Sequence, residues 1–156
     1  MTYSAPRMNP QESRAWLGLV SVSQLLPHVL DSQLLRDSEL THFEFTVLSA
    51  LYVAPDSTLR MSKLAEETAA TLPRLSHVCT RMGKRSLLER VPSSEDKRAT
   101  DVVLTSEGRR LFIRSISKHI ELVRRLVIDA LSPEQLDALA EISETIGARL
   151  EGYEPG

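Results

Sequence analysis

Two stretches of this chain carry apolar residues at helical spacing over more length than a small domain buries alone. From Gln11 to about Arg36 the series is Trp16, Leu19, Val20, Leu26, Leu30 and Leu34. Beyond Thr105 it is Leu111, Phe112, Ile116, Ile120, Val123, Leu126, Val127 and Leu131. At ~1.5 Å per residue, the first helix would be on the order of 38 Å long. Yet 156 residues amount to one domain by length. Pro27 falls inside the first stripe and predicts a kink or an interruption there.

The apolar fraction of 42% allows a real core, and with three Phe, three Tyr and one Trp that core is mostly Leu, Val, Ile and Ala. A single cysteine excludes an intramolecular disulfide and a cysteine-cluster zinc site, and fits a reducing compartment. No apolar run approaches the ~18 residues of a membrane span. The start, MTYSAPRMNPQES, lacks the apolar segment of a signal peptide. The expectation is a cytoplasmic protein without a membrane partner.

Between the two stripes the pattern shortens. Thr41 and Glu44 form a capping box that opens a helix through HFEFTVLSALYVA, closed by Pro55, with Phe45, Leu48 and Leu51 inward. Leu59–Met61 is a short apolar piece. Ser62 is expected to cap a third helix, roughly 63–70, with Leu64 and Ala65 inward. A fourth starts near Pro73, which suits the first helical position, and runs to about Arg85. Its residues Leu75, Val78, Cys79 and Met82 are spaced i, i+3, i+4, i+7. Residues 87–92 and 100–105 read as two strands joined by a charged tip, within PSSEDKRAT. Ser132 and Gln135 make a second capping box, with Pro133 at the first helical position of a last helix. The loose stretch 1–10 is read as outside any helix. Three short helices followed by a hairpin are the order of a winged helix-turn-helix, in which the third short helix enters the major groove and the hairpin is the wing.

Charge is uneven along the chain. Residues 71–98 hold seven Lys or Arg (Arg74, Arg81, Lys84, Arg85, Arg90, Lys97, Arg98) against Glu89, Glu95 and Asp96, a net +4. The rest of a chain of net charge −2 therefore carries −6. Such a basic centre suggests a surface that faces a polyanion. On the fourth helix Arg74, Ser76 and His77 are closest to its start and would reach base edges, with Thr80 beside them, while Arg81 and Lys84 are better placed for phosphates. The competing reading is a solvated helix face. At the tip, Ser93 and Ser94 are small enough to approach DNA, and Lys97 and Arg98 supply positive reach. Asp96 lies two residues from Arg98 and could hold its guanidinium extended toward a narrow minor groove. A solvated loop of self-cancelling charges is the alternative there.

The run LPRLSHVCTRMGKRSLLERVPSSEDKRATDVVLTSEG resembles the multiple-antibiotic-resistance regulator (MarR) family of bacterial transcription factors. So do THFEFTVLSAL (41–51), MSKLAEE (61–67), and the wing pattern of Asp96 and Arg98 followed by Leu104-Thr105 and Glu107-Gly108. The resemblance covers residues 40–112, and the terminal helices match it in length and placement. It implies a mainly α fold, α+β in the winged helix. Residues 1–39 would be an N-terminal dimerisation helix, 40–110 the winged helix-turn-helix DNA-binding lobe, and 111–156 the C-terminal dimerisation helices.

It further implies an obligate homodimer that reads a pseudo-palindrome in double-stranded DNA, with half-sites about one helical turn apart. Members of the family typically repress. They are released by small phenolic or other anionic ligands in a crevice between the dimerisation helices and the DNA lobe. By position the wing arginine is Arg98, oriented by Asp96, and the reading residues are Arg74, Ser76, His77, Thr80 and Arg81.

Redox-sensing members keep a cysteine near the start of the first helix, and this chain has none there. Cys79, on the inward stripe, reads as a small core residue. His28, His42, His77 and His119 are scattered without ligand spacing, so neither a metal nor a cofactor is expected. No Gly-rich phosphate loop, HExxH or nucleophile motif suggests an enzyme. The rival function is a winged helix that binds protein instead of DNA.

Overall fold

The computed structural model describes residues 4–153. It divides into two compact units, one ending at Ile116 and one starting at Ser117. Helix α1 spans Pro10–Ser38, α2 His42–Val53, α3 Met61–Glu67, α4 Leu72–Lys84, α5 Ser106–Leu126 and α6 Pro133–Glu151. Strands β1 (Thr58–Arg60), β2 (Leu88–Pro92) and β3 (Thr100–Leu104) form one antiparallel sheet of order β1-β3-β2. The fold is mainly α with the small sheet of a winged helix.

Helix α1 begins earlier than its apolar stripe. Asn9 is its N-cap, and the Asn9 side chain and Glu12 exchange hydrogen bonds with each other's backbone N–H at 2.9 Å, with Pro10 at the first helical position. The helix runs through Pro27 without the interruption that was one of the two expected outcomes there. Proline removes one ladder hydrogen bond, a cost of ~3 kcal/mol in an isolated helix. Burial of Leu30 and Leu34 just beyond it offsets that cost. Asp31 adds a tie, since its carboxylate accepts from the His42 backbone N–H at 2.6 Å and so places negative charge at the start of α2.

The capping box of α2 forms as expected: Thr41 N–H donates to Glu44 Oε2 at 2.9 Å, and Glu44 N–H to Thr41 Oγ1 at 3.1 Å. Phe45, Leu48 and Leu51 are buried beneath it with Leu64, Leu75, Met82, Leu88 and Val102. Phe112 of α5 joins this core, its ring 5.2 Å from Phe45 and 4.7 Å from Tyr52, both tilted.

The short apolar piece at Leu59 lies in a strand. β1 pairs with β3 through Leu59 and Val102, which makes the hairpin three-stranded. Ser62 does not cap α3: the N-cap is Arg60, with no side-chain bond, and the helix ends at Glu67. Thr68, buried, donates to the Leu64 carbonyl at 2.7 Å, and Ala69 takes a left-handed φ of 50°, so the chain turns there before Ala70.

Helix α4 ends at Lys84 and Ser86 takes φ 59°, which swings the chain into β2. Thr105 fastens this corner to the next helix. Its hydroxyl donates to the Ser86 carbonyl at 2.6 Å and accepts from the Gly108 N–H at 3.0 Å, and its own N–H donates to the Leu87 carbonyl at 3.2 Å.

In the second unit the last turns of α5 stop at Leu126, short of the expected Leu131. Val127 leaves the helix at φ −126°, ψ −62°, and a 3-10 turn follows over Ile128–Ala130, spanned by an Arg124–Asp129 ion pair at 2.6 Å. Ser132 and Gln135 cap α6 reciprocally as expected. No residue of α6 is buried. Among the described residues no helix is long and apolar enough to cross a membrane.

Candidate nucleic-acid interface

Helix α4 is held by its apolar stripe: Leu75, Val78, Cys79 and Met82 are all buried, the four positions expected from spacing. Thr71 caps its first turn by accepting from Arg74 N–H at 3.4 Å. Burial pushes the Cys79 thiol up to about 11, against a smaller opposing pull from the Arg90 charge. Cys79 is thus a neutral core thiol at pH 7.

The outward side of α4 is not one surface but two. Ser76 and Thr80 turn toward the wing, while Arg74, His77 and Arg81 turn toward α2 and α1. The sequence shows a single polar face because residues three and four apart are adjacent on a helix, whichever neighbour each one meets.

On the wing side, Arg90 of β2 crosses to α4. It donates to Thr80 Oγ1 at 2.7 Å and to Ser76 Oγ at 3.2 Å. Arg90, Ser76, Lys97 and Arg98 line a cleft of about 450 Å³, with Met61, Leu72, Pro92 and Ala99 as apolar wall. Arg90 was in the basic count but not among the expected site residues; its strand position two residues from the loop was the available signal.

The wing tip is ordered by its own backbone. Asp96 accepts from the Arg98 backbone N–H at 3.0 Å, and Ala99 N–H donates to the Asp96 carbonyl at 2.8 Å. The Asp96 carboxylate thus bonds the main chain of Arg98 in a local turn, and no ion pair joins it to the Arg98 guanidinium among the described residues. Ser94, Lys97 and Arg98 are exposed beside it. Ser93, expected to approach DNA, is buried. It accepts from Arg60 at 3.4 Å and from Glu95 N–H at 3.3 Å, which ties the base of the wing to β1.

On the other side, Arg81 donates to Glu44 Oε1 at 2.7 Å, and Arg85 lies 3.8 Å from Glu44 Oε2 while donating to the Glu39 carbonyl at 2.8 Å. Glu44 is 4% exposed. Helix α2 thus brings a carboxylate against this side of α4. Arg74 stacks over the Phe43 ring, 4.1 Å from its centroid. Arg74, His77 and Arg81 line a second crevice of about 590 Å³ with Pro27, Asp31, His42 and Phe43. Burial lowers the His42 pKa, with Asp31 opposing. Lys84, exposed, stands on the last turn of α4 near Thr80 and Arg90. No group of three or more His, Cys, Asp and Glu that could hold a metal occurs among the described residues.

No protein-family model matches the chain. It is 33% identical over 95 residues to the uncharacterized HTH-type transcriptional regulator YfiV of Bacillus subtilis, a match that covers 60% of this chain and 58% of that protein's length. Two solved structures cover nearly all of it. The MarR family regulator Sco3205 of Streptomyces coelicolor, in complex with DNA, shares 33% identity with a TM-score of 0.91 over 97% of this chain and 96% of that one. AbsC, a MarR family regulator from the same organism, shares 32% identity with a TM-score of 0.89 over 96% of this chain and 100% of that one. With this likeness along the whole fold, the chain belongs to the MarR family of transcriptional regulators.

Proposed function

We propose that the protein is a sequence-specific DNA-binding regulator that acts as a homodimer on a pseudo-palindromic operator, and that it represses until a small phenolic or anionic effector binds. The observation that carries the DNA reading is the joint exposure of α4 and the wing tip. Lys84, Lys97 and Arg98 are outward, Arg90 and Ser76 line the cleft between them, and no ion pair to an acid is recorded for these four cations among the described residues. Arg74, His77, Thr80, Arg81, Ser94 and Asp96 complete the proposed contact set, directly or by holding its shape. The Sco3205 complex with DNA supports the same reading. A wing that served only protein contacts would have no use for this cationic edge.

The dimer is supported by what α1 and α6 leave outward. Trp16, Leu19, Val22 and Leu25 on α1 are 45–61% exposed, and Leu139, Ile142 and Leu150 on α6 are 42–70% exposed. Apolar surface of that extent marks an interface, and a second copy supplies the self-complementary partner. The effector reading rests on the crevice of about 590 Å³, in which Arg74, His77 and Arg81 offer cationic or titratable groups and Phe43 an aromatic wall. An anion there would compete for side chains of α4 itself.

Replacing Arg98 by alanine tests the wing. Arg98 is exposed, so the melting temperature is expected to stay unchanged while duplex binding weakens by about 1–3 kcal/mol per half-site. Fluorescence anisotropy on a duplex selected from a random-sequence pool by the wild-type protein reads both affinities. Equal affinity for the two proteins removes the wing from the proposed interface.

A further inference from the structure

We infer that Arg90 is a phosphate-holding residue and that Ser76 and Thr80 position it instead of reading bases. The inference rests on the DNA reading above and deepens it. Arg90 leaves β2 at the base of the wing, yet its guanidinium ends on α4, bonded to Thr80 Oγ1 at 2.7 Å and Ser76 Oγ at 3.2 Å. The Thr80 hydroxyl has a second, fixed duty. Thr80 Oγ1 donates its proton to the Ser76 carbonyl at 3.0 Å, which leaves lone pairs aimed at Arg90. The two hydroxyls therefore act as acceptors that hold the planar fork in one orientation.

Two of the five guanidinium N–H donors are used in these bonds, and Arg90 lines a cleft of about 450 Å³. Lys97 and Arg98 enter the same cleft from the wing, and Arg90 has no ion pair with an acid among the described residues. Three cations in no ion pair among the described residues, on an apolar wall of Met61, Leu72 and Pro92, suit one backbone phosphate and its sugar. Because the donors of Arg90 arise from the strand and its acceptors from the helix, the bound phosphate would also fix the distance between wing and α4. Such a contact positions the protein on the duplex and carries no sequence information.

The test is a salt titration of duplex binding by the full chain, on the selected duplex and on an unrelated sequence of the same length. Arg90→Ala is expected to weaken binding roughly tenfold or more per half-site on both duplexes, and to make the log–log salt slope shallower by about 1 per lobe. Arg90→Lys is expected to restore the slope, since it keeps the charge. Thr80→Val is expected to weaken binding in the wild-type background but not in Arg90→Ala, and Thr80→Ser to behave as wild type. If Arg90→Ala lowers the melting temperature, Arg90→Gln carries the same comparison with the side-chain polarity retained. Unchanged affinity and slope in a protein whose wild type binds DNA overturn the inference alone, as do losses at Thr80 and Arg90 that simply add. A wild type that binds no duplex overturns the DNA reading itself.

Discussion

Gly108→Ala is expected to destabilise the chain by about 3 kcal/mol. A Cβ at Gly108 would stand 2.0 Å from the Leu87 carbonyl oxygen, 3.0 Å from its carbon and 2.8 Å from Leu104 Cδ1. The flexible leucine tip can move aside, but the carbonyl cannot. Leu87 O already accepts the Thr105 N–H, and Thr105 in turn holds Ser86 and the first turn of α5. Relieving the clash means lifting the start of α5 off β2, and with it Phe112 from its place against Phe45 and Tyr52. Urea unfolding followed by circular dichroism measures the loss as a lower midpoint at unchanged slope. An unfolding free energy within about 0.5 kcal/mol of wild type would mean that α5 is free to slide, contrary to the corner described above.

Removing residues 132–156 is expected to abolish the dimer and give monomer or aggregate. None of α6 is buried in the single chain, although Leu139, Ile142 and Leu150 are large and apolar. Ile120 and Leu126 on α5 are also about half exposed. Each such side chain gains roughly 1.5–3 kcal/mol when fully buried, so a dimer that covers several of them loses much of its driving force with α6 gone. The first unit, with its own core through Phe112, is expected to keep its secondary structure. Multi-angle light scattering distinguishes the outcomes, and a monodisperse truncated dimer would contradict the proposed interface.

The parts of this fold that could be read in advance share one property: their determinants are local. Thr41 with Glu44, Ser132 with Gln135, and the stripe Leu75–Val78–Cys79–Met82 lie within two helical turns, and each is found as expected. The capping box of Asn9 and Glu12 is equally local but went unread, because the prolines around it suggested a loose terminus. At Pro27 the helical penalty is local while the burial that offsets it is tertiary, so continuity of the helix could not be read in advance. The strand β1 has three residues and exists only by pairing with β3.

At the candidate site the residue types were legible but their partners were not. Arg81 is legible as a cation, but its partner Glu44 comes from α2, 37 positions away. Ser93 looked like a loop tip until Arg60 reached it from β1. Arg90 looked like one more charge, and only the packing of β2 against α4 shows it bridging wing and helix.

The salt dependence of duplex binding by the full chain tests the central claim most directly. Two lobes with about four phosphate contacts each predict a slope of log affinity on log salt of about −7. Binding that ignores salt, or no binding to any duplex in a genomic fragment pool, would contradict the account and favour a winged helix devoted to protein contacts.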